Sequence, residues 1–411
     1  MLRFPRLVGA RFVALVRADI SGVRAGFVAL FISSGGDLVT GLTLASITNT
    51  LRALPGLIIL IPAAIGMRGN IFGGLGSRLG TQIHAGTFRV SRRIDTLFGQ
   101  NVGAAILMSL AISAALAVLA KAVSAAFFTT PTISLVDYMV ISVIGAIISS
   151  LVVLVITVAV AAFCADRSLD LDNVAAPIVT AAGDIATLPS LFLATYLVGY
   201  RFVTPSIALL CAVLAIASLV VALRSKLPIL RRIVLESLPI LVLAGTVDLL
   251  AGVTIEKRVD SFIKFPALLV LVPAFLEDSG SLGAILAARI STKLHLGTLE
   301  PGRGAWRSAI DDVLLIYMYA IPVFVFLGTS SIIVAHVANR ASPGALDMMG
   351  VALLAGTMAT TASVVVGFYS AVATYRFGLD PDNHGVPMVT SSLDLLGALS
   401  LILAIVILGL G

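Results

Sequence analysis

Eleven apolar stretches follow one another along this chain, at about 25–50, 53–83, 100–128, 135–165, 174–199, 202–223, 234–255, 261–290, 309–336, 346–376 and 385–410. A helix needs roughly 20 apolar residues to cross a bilayer, and each stretch has that length. Membrane β-strands alternate apolar and polar residues over about ten positions, which continuous Leu, Ile, Val and Ala runs do not. Helices therefore remain as the way to satisfy the backbone in lipid. Only 12% of the 411 residues are charged, against roughly 25% in soluble proteins, so too little polar surface exists to face water. The expected fold is an all-α integral membrane protein with about 11 transmembrane helices. Several stretches exceed the crossing length and must tilt, kink or extend beyond the bilayer.

The basic residues fix an orientation. With the N-terminus inside, the inner segments hold 19 Lys and Arg and the outer segments 6. That asymmetry predicts a multi-pass protein of the cell membrane with a cytoplasmic N-terminus. Residues 1–24, carrying Arg3, Arg6, Arg11, Arg17 and Arg24, read as a cytoplasmic lead-in rather than a cleavable signal. The net charge of +6 belongs to these short clusters, and no nucleic-acid partner is expected. Cys164 and Cys211 imply no disulfide framework.

The chain repeats itself. Pro55-Gly-Leu-Ile-Ile-Leu-Ile-Pro62 aligns with Pro266-Ala-Leu-Leu-Val-Leu-Val-Pro273 at an offset of 211, and 55–87 holds 12 identities in 33 positions. Gly69, Arg78, Thr81, His84, Gly86 and Thr87 match Gly280, Arg289, Thr292, His295, Gly297 and Thr298. Asp37 matches Asp248. Leu169-Asp-Leu-Asp-Asn173 matches Leu379-Asp-Pro-Asp-Asn383 at offset 210, and Pro177, Thr180 and Asp184 then match Pro387, Thr390 and Asp394. Apolar bias produces chance Leu and Val matches but not matched Asp, Asn, Arg and His, so the duplication is real. The predicted organisation is a lead-in at 1–24, a five-helix repeat at 25–200, a linker helix at 201–232 and a second five-helix repeat at 233–411. The unpaired linker crossing restores direction, so the repeats should run parallel about a pseudo-two-fold along the membrane normal.

Charges at membrane depth are costly unless paired or solvated, and mark candidate sites. Asp184 and Asp394 stand about 16 Å into their spans, counted from Asn173 and Asn383 at 1.5 Å per residue. Asp37 and Asp248 lie near the middle of the first span of each repeat. Helix–helix hydrogen bonding is the structural alternative for all four. The second span of each repeat is expected to break after Pro62 and Pro273, at Gly66-Met-Arg-Gly-Asn70 and Glu277-Asp-Ser-Gly-Ser281. Freed carbonyls there would line a cavity. Asn70, Glu277 and Asp278 thereby join the candidate metal ligands. Asp170, Asp172, Asn173, Asp380, Asp382 and Asn383 precede the last spans, as helix caps or as a cation vestibule. Carboxylates, hydroxyls and Asn, without a Cys or His cluster, suit a hard cation such as Mg²⁺.

These stretches resemble the membrane domain of MgtE magnesium channels and of eukaryotic solute carriers that contain two such domains. The resemblance rests on "PAAIGMRGNIFGGLGSRLGTQIH", on "AARISTKLH" at 287–295, and on "LDPDNHGVPMVTSSLDLLG" at 379–397 with its fainter copy "LDLDNVAAPIVTAAGDIAT" at 169–187. It implies a pore lined by the Asp that ends the signature, here Asp184 and Asp394, selecting Mg²⁺. It also implies that one chain reproduces a homodimer of five-helix domains, so that a monomer would suffice. The family's cytoplasmic acidic and CBS domains have no counterpart here, so their regulation is not carried over. The second break reads Glu-Asp-Ser-Gly-Ser where Gly-Gly-Asn is expected, so the halves should differ.

The expected function is transport of Mg²⁺, or another hard divalent cation, at the interface of two repeats, with midplane carboxylates binding the ion. Mg²⁺ is the cargo, and structural binding of the same ion is left open. A Na⁺- or H⁺-coupled exchanger is the alternative. An intramembrane lipid enzyme is more distant, since no nucleophile or metal triad stands in one half alone, and no enzymatic activity is expected. The lipid bilayer is the other expected partner. Arg68 is expected to pair across the repeats with Glu277 or Asp278, because each is costly at that depth if unpaired. Otherwise the two acids form an extra cation site on one side.

Overall fold

A computed structural model describes residues 20–167, 171–302, 305–379 and 384–410. Eleven helices among them are long and apolar enough to cross a membrane. They are α1 (Ile20–Ser46), α2 (Leu57–His84), α3 (Leu97–Phe127), α4 (Leu135–Arg167), α5 (Leu171–Thr195), α6 (Val203–Arg224), α7 (Pro228–Glu256), α8 (Ala267–His295), α9 (Ile310–Val337), α10 (Ala345–Phe377) and α11 (Val386–Ile407). Two six-residue helices, Thr48–Ala53 and Val259–Lys264, precede α2 and α8 at the same offset of 211. The bundle is inverted relative to a soluble protein: large apolar side chains such as Leu209 and Leu346 stand exposed outside, while Asp37, Asp248, Asp278 and Asp312 are fully buried within.

The repeats interlock by exchanging first helices. The first helix of the first repeat, α1, packs against α8, and its counterpart α7 packs against α2. Both contacts are made at a glycine. A Cβ on Gly41 of α1 would stand 2.0 Å from the Val270 carbonyl oxygen of α8, and one on Gly252 of α7 would stand 2.3 Å from the Ile59 carbonyl oxygen of α2. Gly41 and Gly252, like Ile59 and Val270, are 211 positions apart. Small residues that bring backbones together are the usual way membrane helices associate closely. The unpaired α6 packs on α3, α4 and α7 and carries most of its surface outward.

The second helices are continuous, contrary to the expected breaks. Pro62 and Pro273 lie inside α2 and α8, which run on through Gly66–Asn70 and Glu277–Ser281. Each proline is only about two turns from its helix start, so a single carbonyl loses its donor. The expected freed carbonyls are therefore absent from 66–70 and 277–281, and side chains define the cavity.

One ion-pair cluster ties the last turns of α8 to the first turn of α9. Arg289 Nε donates to Asp312 Oδ1 at 2.9 Å and Lys293 Nζ to Oδ2 at 2.5 Å. Asp312→Asn should destabilise the fold by about 2 kcal/mol. That is below the roughly 3–5 kcal/mol for breaking a fully buried pair, because both cations are about a third exposed and screened. A lowered unfolding midpoint of the purified protein checks this, and an unchanged midpoint contradicts it.

Candidate cation pathway

Two cavities meet in the middle of the bundle. The larger, about 500 Å³, runs from Ser77 and Val386, exposed at the face where α2 ends and α11 begins, inward to Asp184, Glu277 and Asp394. We call this side the basic face, since most Lys and Arg cluster there. The smaller, about 40 Å³, continues from the same three acids toward the opposite face. Its other walls are apolar, among them Leu44, Ile58, Ile61, Ile255, Val272 and Leu276, with Pro62 and Pro273. One water needs about 10–15 Å³ of such space. The larger cavity thus holds an ion with its hydration shell and the smaller one a few waters at most. The cavities are thus wide toward the basic face and narrow to an apolar constriction toward the other, the kind of wall that resists hydrated ions by dewetting.

The acids stand in two sets. The carboxyl of Asp37, on α1, faces that of Asp184 on α5. That of Asp248, on α7, faces Asp394 on α11. Asp184 and Asp394 line both cavities, whereas Asp37 and Asp248 stand behind them, fully buried. Among the described residues no protein donor bonds either oxygen of Asp37 or Oδ2 of Asp184, and Asp248, whose oxygens are likewise buried, has only the Ser391 hydroxyl beside it. Carboxylate oxygens are acceptors only when ionised, and an unsatisfied buried one costs on the order of 1–3 kcal/mol or more. Such a set is held cheaply only by a cation or by shared protons.

Glycine and glutamate at one register position make the sets unequal. Gly66 of α2 lies against the second pair, where a Cβ would come 2.9 Å from Asp248 Oδ2. Its counterpart on α8 is Glu277, which lies near Asp37, Asp184 and Asp394 together. Glu277 is steadied by Ser281, one turn on. Asn70 also lines the larger cavity, and among the described residues its Nδ2 has no acceptor. Asp278 does not line it. The Ser34 hydroxyl of α1 donates to Asp278, 2.8 Å from Oδ2, within the exchanged α1–α8 contact. Among the described residues no three His, Cys, Asp or Glu side chains converge into a ready metal cage.

The expected Arg68 pairing is not formed. Arg68, 1% exposed, donates from Nη1 to Ser150 Oγ at 2.5 Å and from Nη2 to Ser113 Oγ at 2.8 Å. Its partners are thus hydroxyls of α4 and α3 in its own repeat. Side chains at 67 and 68 point about 100° apart on a helix, so common depth did not bring Arg68 toward the acids. Sequence reasoning also left aside Thr180, Thr390 and Ser237, which line the larger cavity. The matched Thr180 and Thr390 carried a signal in the repeat alignment, while Ser237 carried none. The side chains of Asp170, Asp172, Asn173, Asp380, Asp382 and Asn383 lie outside the described residues, as does the lead-in before residue 20.

Comparison with known proteins adds the following. Residues 61–194 and 272–404 each match the family MgtE, described as a divalent cation transporter. The chain is 24% identical to rat solute carrier family 41 member 3 over 90% of its own length and 83% of that protein. It is 27% identical to mouse solute carrier family 41 member 2 over 84% of its length, and to the human protein of that name over 86%. Those alignments take in only 63% and 64% of the two relatives, so the chain spans less than two thirds of them. No solved structure matches the chain.

Proposed function

Since the chain belongs to the MgtE family of divalent cation transporters, we propose that it carries Mg²⁺ across the membrane between its two repeats, with Asp184 and Asp394 as the ion's principal contacts. The single observation that carries this reading is the placement of these two signature aspartates, with Glu277, where the two cavities meet. Mg²⁺ gives up its water reluctantly and is commonly bound through one or two carboxylates plus waters. Asp37 and Asp248 hold the two contact carboxylates in place from behind. Asn70 lends a polar wall, and Glu277 adds charge on one side only. Asp278, turned to Ser34, supports the helix contact and is not offered to the ion.

The basic face is the cytoplasmic one in this reading, following the positive-inside bias. The monomer suffices, because each half supplies one acid pair. The cell membrane is the proposed location.

A divalent ion moving inward down an inside-negative potential gains about 4.6 kcal/mol per 100 mV, twice the roughly 2.3 for one charge. Uptake then needs no coupling ion. In proteoliposomes holding a Mg²⁺ indicator, a K⁺–valinomycin potential should drive uptake without a Na⁺ or pH gradient. Uptake that ignores voltage but follows a Na⁺ or H⁺ gradient would establish the exchanger instead. No Mg²⁺ movement under any gradient would end the proposal.

A further inference from the structure

The two halves differ at two matched charges, Asp312 and Lys293 of the second repeat, which are Asn101 and Gln82 in the first. In the second repeat Arg289 is neutralised by Asp312, which is also bound by Lys293. The same position of the first repeat is Arg78, whose Nε donates to Asn101 Oδ1 at 2.8 Å. Asn101 stands 211 positions before Asp312, and Gln82 stands 211 before Lys293. Asparagine thus keeps the hydrogen bond of the second repeat and leaves out its negative charge. Nη2 of Arg78 is buried without an acceptor, and among the described residues no carboxylate forms an ion pair with Arg78.

Arg78 also lines the cavity that leads to Asp184, Glu277 and Asp394. An uncompensated guanidinium there costs desolvation energy and repels an approaching cation. The wall beside it is open. Gly73 and Gly76 line the same cavity, and a Cβ on either would meet nothing within 4 Å. A Cβ on Gly74 would come 3.2 Å from Arg78 Nη1, which places the guanidinium against the glycine wall of the cavity.

We propose that Arg78 binds a phosphate-type oxyanion at the basic-face mouth of the pathway, supplying from outside the chain the charge that Asp312 supplies in the second repeat. A planar guanidinium with free N–H groups matches phosphate oxygens in geometry as well as charge. Inorganic phosphate and a lipid phosphate headgroup present the same chemistry. Once bound, the anion turns a repulsive mouth into a neutral or attractive one for cations. Binding itself is independent of which ion the chain carries.

The test is thermal unfolding of the purified protein without divalent cations, in phosphatidylcholine nanodiscs, with inorganic phosphate replacing chloride at constant ionic strength. Phosphate should raise the wild-type midpoint saturably, by about 2 °C or more at concentrations well above its Kd. Asn101→Asp restores the pair seen in the second repeat and should abolish the rise, as should Arg78→Gln. In a second arm, nanodiscs containing phosphatidic acid and no free phosphate should stabilise wild type but neither variant if the headgroup is the source. A response in either arm that both variants lose supports the proposal and identifies the source. No response of wild type in either arm, or an undiminished response in Arg78→Gln, overturns it.

Discussion

Mg²⁺ flux should fall at least 100-fold, to the level of empty vesicles, when Asp184 and Asp394 are both replaced by Asn. Asn preserves shape and keeps an oxygen acceptor, so the substitution isolates charge. At an effective dielectric constant near 20, a doubly charged ion about 5 Å from a carboxylate is held by roughly 6–7 kcal/mol before desolvation is subtracted. Even a third of that, lost twice, exceeds a hundredfold. The single variants should each retain partial flux. Glu277 stands near both Asp184 and Asp394, so whichever acid remains keeps it as a neighbour. Asp37→Asn should be milder still, because it lines neither cavity and an amide can donate to Asp184. Flux is measured by indicator in proteoliposomes, with unfolding midpoints taken alongside to confirm folding. Flux at the wild-type rate in the double variant would remove these two residues from the pathway.

Much of this arrangement is legible in sequence, for a definite reason. Hydropathy records which helices cross, and polar matches at a fixed offset record the duplication, because both are one-dimensional quantities. Depth is one-dimensional as well, so Asp184 and Asp394 are placed together correctly from their distance past Asn173 and Asn383. Rotation about the helix axis is not. Arg68 and Asp278 share a depth, yet Arg68 turns to Ser113 and Ser150 and Asp278 turns to Ser34. Serines in apolar helices give little warning of such roles. The same limit hid Arg78, whose match to Arg289 is plain. That one arginine meets Asn101 and the other Asp312 depends on α3 and α9 standing beside the second helices. The breaks expected at Gly66 and Glu277 failed differently. Local propensity against a helix was outweighed by the packing of α2 and α8 against their neighbouring helices.

Neither Gly41 nor Gly252 stands out in sequence, yet alanine at either is expected to cost more stability than at any other glycine of the two first helices. The clash partner decides this. At 2.0 and 2.3 Å the added Cβ would meet carbonyl oxygens of Val270 and Ile59, which belong to helix backbone and cannot rotate aside as a side chain would. The whole exchanged contact, α1 on α8 or α7 on α2, has to move apart. Overpacking of this kind costs about 1–3 kcal/mol and sometimes more, and at these distances from rigid backbone the upper part of that range applies, which exceeds the roughly 1 kcal/mol that alanine gains over glycine in a helix. Gly35→Ala on α1 is the matched control, since its Cβ would meet nothing within 4 Å, and it should be neutral or slightly stabilising. The pseudo-two-fold adds a sharper requirement: Gly41→Ala and Gly252→Ala should lower the unfolding midpoint by similar amounts. Both should also depress flux, because the four helices they join carry Asp37, Asp248 and Glu277 and wall the apolar constriction with Leu44, Ile58, Ile255 and Val272. Midpoints for both variants equal to that of Gly35→Ala would mean that the repeats are not held together by this contact.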